Sequence, residues 1–244
     1  MKTRAIALAL AGMCAMAAAA EPQWVGRFAA LGEVAAPWRV ERFDTRVPAT
    51  QFRQRDWDGV AAVEAQANGS MALLARPVDV DLARTPVLCW RWRVDAPLVK
   101  ADMATKAGDD YAARVYLSFT VPADTLGFGT RLALGAARAL RGDQVPDAAV
   151  NYVWDNRHEI GTTRPNAYTD RARMHVLRSG AAQAGQWVVE ARDVVADFTR
   201  AFGHAPLRLT GLALASDTDN TGETARAGFA EFRFVERAEA CTAG

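Results

Sequence analysis

Six consecutive residues, Asp217-Thr218-Asp219-Asn220-Thr221-Gly222, bring two carboxylates, an amide, two hydroxyls and a glycine together. The spacing of Asp217, Asp219, Thr221 and Gly222 follows the opening of a calcium loop, in which oxygens at alternate positions fold around a hard cation and glycine allows the bend. The match stops at the twelfth position, which is Gly228 where an EF-hand has a bidentate Glu. An EF-hand is excluded, and two readings stay open. Either Asp217, Asp219 and Thr221 supply oxygens to calcium in a site completed by a distant loop, or Asp217 and Asn220 cap their own backbone N–H groups in an Asx-type turn.

A second constellation comes from strand alternation. In residues 87–94, Trp90, Trp92 and Val94 alternate with Cys89, Arg91 and Arg93; in 111–121, Ala113, Val115, Leu117 and Phe119 alternate with Ala112, Arg114, Tyr116 and Ser118. Period-two alternation sends the apolar set to a core and the other set to the opposite face. Arg91, Arg93, Arg114 and Tyr116, joined by Tyr152 and Trp154 of the strand at 150–155, then become candidates to line a groove. Guanidinium groups bind carboxylate or hydroxyl groups and rings stack on sugar faces, so the groove suits an acidic or neutral glycan. The bland alternative is an outward sheet face of paired charges.

Catalytic signals are sparse. Asp110, Glu190, Asp217 and Glu231 could form the carboxylate pair of a glycoside hydrolase only at a separation that sequence does not give. His158, His175 and His204 lack helical zinc-site spacing, and there is no C-x-x-C, G-x-S-x-G or phosphate-binding glycine loop.

The elements that must position these groups read as mostly β. Residues 207–215 run into the acidic loop and 227–235 run out of it. Residues 60–67 and 71–76 flank Asn68-Gly69, a dipeptide that favours a type I′ hairpin. Residues 79–82, 174–177 and 186–191 read as further strands. Asp193 reads as an N-cap and Gly203 as the stop of one short helix over 194–202. The alanine-rich stretch 123–148 reads as a short helix or a surface connection, and 21–50 as a helical or irregular lead-in. Short strands punctuated by turns predict a two-sheet β-sandwich, jelly-roll or galactose-binding-like. The expected layout is a signal peptide at 1–20, a lead-in at 21–58 packing on the core, a sandwich domain at 59–237 and a tail at 238–244.

Lys2 and Arg4, a short apolar run and Ala18-Ala19-Ala20 form a secretory leader with cleavage expected near Ala20. Its removal takes the 29 basic residues to 27, against 28 acidic ones, so there is no basic surplus to hold a phosphate backbone and nucleic acid is not an expected partner. No other apolar run reaches the ~20 residues of a membrane span. Cys89 and Cys241 remain, to pair in an oxidising compartment or to stay as thiols.

Five blocks occur in one order: Trp90-Arg91-Trp92-Arg93-Val94, Gly108-Asp109-Asp110-Tyr111-Ala112-Ala113-Arg114-Val115-Tyr116, Asn151-Tyr152-Val153-Trp154, Asn166-Ala167-Tyr168-Thr169 and the acidic loop. Together they resemble the bacterial "domain of unknown function 3047" family over 59–235. The resemblance implies an exported bacterial protein and carries over no catalytic residue. The acidic loop followed by a strand is also similar to the ending of jelly-roll carbohydrate-binding modules, an analogy only. The reading is a periplasmic or secreted protein that binds a polar small molecule or glycan, with a calcium-stabilised loop. A carbohydrate-active hydrolase or lyase on the same fold, and an assembly protein, are the alternatives.

Overall fold

The computed structural model describes residues 20–141 and 145–242, so the expected leader lies outside the described residues except for Ala20. The stretch read as a helical or irregular lead-in forms strands: β1 (Gln23–Gly26), β2 (Leu31–Gly32), β3 (Arg39–Glu41) and β4 (Gln51–Trp57). Then come β5 (Val60–Asn68), β6 (Leu73–Pro77), β7 (Val87–Val94) and β8 (Tyr111–Thr120). Helix α1 (Phe128–Arg141) precedes β9 (Ala148–Asp155), β10 (Thr163–Asn166), β11 (Thr169–Ser179) and β12 (Val188–Asp193). Helix α2 (Val194–Phe202), β13 (Arg208–Asp217) and β14 (Thr224–Val235) complete the fold. One sheet runs β12-β7-β14-β5-β4-β2 with β1 added to β14; the other runs β10-β11-β9-β8-β13-β6-β3. All pairs are antiparallel except β9 with β11. This is the expected two-sheet sandwich.

Three local expectations are corrected. Asn68-Gly69 does not close a hairpin: β5 and β6 belong to different sheets, and the dipeptide carries the chain between them. The hairpin is one turn earlier, where Asp58 (φ 56°) and Gly59 (φ 79°) join β4 to β5 with Trp57 opposite Val60. Asp-Gly is as good a type I′ signal as Asn-Gly, and only the pairing of the flanking strands separates the two. Residues 79–82 form no strand, because Asp81 folds the chain into a turn by accepting from the Ala83, Arg84 and Thr85 amides. Among the described residues there are two α-helices rather than one, since the alanine and leucine of 128–141 favour helix intrinsically. Helix α2 is capped as its sequence predicts: the Asp193 carboxylate accepts from Val195 and Ala196 N–H, and Gly203 takes φ 80°.

The core lies between the sheets. Trp90 stacks on Tyr152 at 5.4 Å and on Phe232 at 6.3 Å, and Trp92 meets Trp154 at 5.7 Å. Each polar tip in this seam except the Trp90 N–H finds an acceptor: Trp92 Nε1 donates to Glu190, Trp154 Nε1 to the Gly180 carbonyl, and Tyr152 Oη to Asp197. Buried aromatics stay compatible with an apolar interior when their N–H or O–H is satisfied.

Cys89 and Cys241 are joined by a disulfide across 152 residues of chain. Closing a loop of that length removes denatured-state entropy worth up to ~5 kcal/mol, an upper figure from chain statistics. Replacing both cysteines by alanine is expected to lower the melting temperature by roughly 10 °C or more at that scale. Calorimetry on oxidised wild type and the double variant checks this, and equal melting temperatures would contradict it.

Candidate functional site

Sheet register assembles a polar cluster on the outer face of the second sheet. Arg114 and Tyr116 occupy alternate, outward positions of β8. Arg114 has Ala215 of β13 on one side and Val153 of β9 on the other; Tyr116 is flanked by Ala213 and Asn151, and Met174 of β11 sits beside Asn151. The neighbours on β13 are alanines, so nothing bulky separates the long side chains from the loops at the strand ends. Asp217, two residues beyond Ala215, stays on this face.

The Arg114 guanidinium is buried among these groups. Its Nη1 donates to Asp217 Oδ2 at 3.0 Å and lies 3.8 Å from Asp109, while its carbon centre is 4.3 Å from the Tyr116 ring and 4.9 Å from that of Tyr111. Asn166, at the β10–β11 turn, donates its amide to both Asp109 oxygens at 2.9 and 2.8 Å. Asp110 accepts from the backbone N–H of Asn220 and Thr221 and from the Asn220 amide, which fastens the acidic loop to the start of β8. Tyr168, whose residue surface is 56% exposed, places its hydroxyl 2.9 Å from Asn220 Oδ1. Asp219 and Asn220 are exposed beside it.

Several buried atoms here have no hydrogen-bond partner among the described residues. They are both amide atoms of Asn151, Arg114 Nε, Asp217 Oδ1 and Thr221 Oγ1. Asn151 is 0% exposed, so its unmet capacity is costly unless something else meets it.

Electrostatics sharpen the picture. Four carboxylates (Asp109, Asp110, Asp217 and Asp219) surround one guanidinium. Burial pushes the Asp217 pKa up to about 8; Arg114 draws it down, but Asp110, Asp109 and Asp219 add to the rise. Asp219 is also raised, by burial and then by Asp110. Burial works against the charge on Arg114, yet Tyr116, Asp217 and Asp109 outweigh it and hold its proton more tightly than in an ordinary arginine.

The expected groove residues separate. Arg91 and Arg93 lie on the outer face of the other sheet, where Arg91 pairs with Glu231 at 2.8 Å, and Arg93 pairs with Asp58 at 2.5 Å and covers Trp57 at 4.4 Å. Tyr152 and Trp154 point between the sheets and belong to the core, because the register aligns Tyr152 with inward-facing Val115. Of that set only Arg114 and Tyr116 stay at the site. Of the residues weighed for calcium, Asp217 accepts from Arg114, Asp219 is exposed, and Thr221 donates its backbone N–H to Asp110. The carboxylates weighed for hydrolysis disperse likewise: Glu190 is tied to Trp92 and Arg178, and Glu231 to Arg91.

Sequence reasoning missed Asp109, Asn151, Asn166 and Tyr168 as site residues and weighed Asp110 only as a hydrolase carboxylate, although three of the five blocks quoted above contain all of them. Alternation in 150–155 separates Asn151 from Tyr152 and Trp154, but with those two rings assigned to the groove it left Asn151 on the core side. The contribution of Asp109, Asp110 and Asn166 depends on loops meeting in space, which no local pattern shows.

With its pKa raised, folded Asp217 holds a proton that the unfolded chain gives up between about pH 4 and pH 8. Its contribution to stability is therefore complete below pH 4 and lost as pH rises through 8. Asp217→Asn is expected to flatten the decline of melting temperature from pH 5 to pH 8.5, removing up to about one proton of linkage. Thermal melts across that range check it, and an unchanged slope would contradict the assignment.

Residues 36–233 match the family model described as "Protein of unknown function (DUF3047)". No curated protein matches the chain. Similar solved structures include the family 11 carbohydrate-binding module of the cellulosomal cellulase Lic26A-Cel5E of Clostridium thermocellum, with 6% identity and TM-score 0.44 over 90% of this chain and 97% of that one. Another is the xyloglucanase domain of NopAA, a type three effector from Sinorhizobium fredii, in complex with cellobiose: 8% identity and TM-score 0.40 over 87% and 100% of the two chains.

Proposed function

The chain belongs to that family, DUF3047, and from this premise we propose that it is an exported binding protein for a neutral, hydroxyl-rich ligand: a glycan or another polar component of the cell envelope. The observation that carries the reading is the buried Asn151 amide, whose donor and acceptor are both unpartnered on a face shared with Tyr116, Arg114 and Asp217. An amide offers a vicinal diol one donor and one acceptor, and because Asn151 is 0% exposed the groups that cover it must move aside to admit the ligand. Tyr168, exposed at the solvent edge, supplies a ring on which the carbon face of a sugar stacks. Charge selects against an acidic glycan: Arg114 is engaged by Asp217, and the surrounding carboxylates repel a further anion. Export is supported by the leader-like N-terminus and by the disulfide, which belongs to oxidising compartments. No described helix is long and apolar enough to cross a membrane.

Glycan-array screening followed by titration calorimetry tests the proposal. Asn151→Ala is expected to weaken binding by about tenfold, the worth of roughly one hydrogen bond, while leaving the melting temperature unchanged or higher because the amide meets no protein partner. Tyr168→Ala should weaken binding at least as much. Failure of every neutral glycan to bind, or wild-type affinity in both variants, would sink the reading.

One observation favours a hydrolase reading instead. Burial and neighbouring carboxylates raise the Asp217 pKa to about 8, and a carboxyl raised in this way is suited to an acid role. Reducing-end release from the glycan that binds, abolished by Asp217→Asn, would establish it; binding without turnover would leave the binding protein.

A further inference from the structure

A separate cavity of about 180 Å³ opens where β1 and the segment after it fold against β4 and β6, lined by Trp24, Arg27, Phe28, Trp38, Gln54 and Arg76 among others. It shares no residue with the cluster on the second sheet. Its walls are aromatic: Phe28 and Trp38 are tilted against each other at 5.5 Å, Arg27 lies over the Trp24 ring at 3.9 Å, and Arg76 is 5.7 Å from the Trp38 ring.

Of the two guanidinium groups Arg76 is half-buried and Arg27 is exposed. Among the other buried or half-buried arginines, Arg178 and Arg192 are each neutralised by a carboxylate, Glu190 and Asp197 respectively, and Arg114 donates to Asp217. Arg76 instead donates from Nε to the Pro77 carbonyl and from Nη1 to that of Val25. Among the described residues no carboxylate pairs with either Arg76 or Arg27. Burial lowers the Arg76 pKa, and no acidic neighbour offsets the loss. A half-buried cation without a counter-charge is expensive, and its remaining donors suit a planar carboxylate.

We infer that this cavity binds a small carboxylate carried on a six-membered ring with an apolar face, the acid group meeting Arg76 and Arg27 while the ring lies against Trp24, Phe28 and Trp38. Two sources offer that chemistry, a uronic acid and an aromatic acid. Titration calorimetry on the disulfide-bonded mature chain separates them, with D-glucuronate and benzoate as probes and D-glucose and benzyl alcohol as their uncharged counterparts. The expected result is that one acid binds at least about tenfold more tightly than its counterpart, with affinity falling as salt rises. Arg76→Gln and Arg27→Gln should each lower that affinity by about tenfold or more. If losing the Val25 contact prevents Arg76→Gln from folding, Arg27→Gln decides, because its side chain donates to no acceptor among the described residues. Asn151→Ala should leave this binding untouched, so failure here is distinguishable from failure of the glycan proposal. Acids that bind no better than their neutral counterparts, or an Arg27→Gln variant with wild-type affinity, would overturn the inference.

Discussion

The buried pair of Arg114 and Asp217 is the contact on which the loop end of the second sheet depends. Arg114 also reaches Asp109 at 3.8 Å. The pair joins β8 to the end of β13, and so fixes where the acidic loop begins. Removing either member leaves a buried hydrogen-bonding group unpaired, at a cost of about 1–3 kcal/mol. With Asp217 held, Asp110 can collect the loop amides and Asp109 can receive Asn166 from the facing turn, so three loops converge on one point.

Charge accounting follows from the same geometry. One guanidinium among four carboxylates leaves this end acidic, which explains the raised pKa of Asp217 and makes an anion an unsuitable occupant. The first sheet balances its charges locally. On the outer face of the first sheet, Glu64 is fully buried beneath Arg53, Arg55 and Arg226, and Trp57 is covered by Arg55, Arg93 and Arg226. Gly228 makes this layer fit, since a Cβ there would stand 2.7 Å from the Trp187 ring. That face is an ionic and aromatic lid whose charged groups are paired with one another. The outer face of the second sheet keeps a buried amide, Asn151, with neither donor nor acceptor met, and this is why the ligand is placed there.

Much of the architecture was legible from local chemistry. Period-two alternation in 87–94 and 111–121 depends only on the pleat, so it gave the correct faces for Trp90, Trp92, Arg114 and Tyr116. The caps of α2 depend on one carboxylate and one left-handed glycine within a single turn of chain, and they too were readable. Tyr152 and Trp154 were misplaced because alternation says which residues share a face and leaves open which face is inner. That choice was made by Val115 and Trp90, which lie far away in sequence.

The residue order by itself determined the strand periods, the leader-like start, the pairing capacity of the two cysteines and the family to which the chain belongs. Only the tertiary structure decided that Asp109, Asp110, Asn166, Asn151 and the 217–222 loop meet around Arg114, that Arg91 and Arg93 serve the opposite side, and that Arg27 and Arg76 share a cavity. The physical reason is range. Backbone sterics and side-chain period act over a few residues and are written locally, whereas burial and charge compensation depend on groups brought together from more than a hundred residues apart, as Arg114 and Asp217 are.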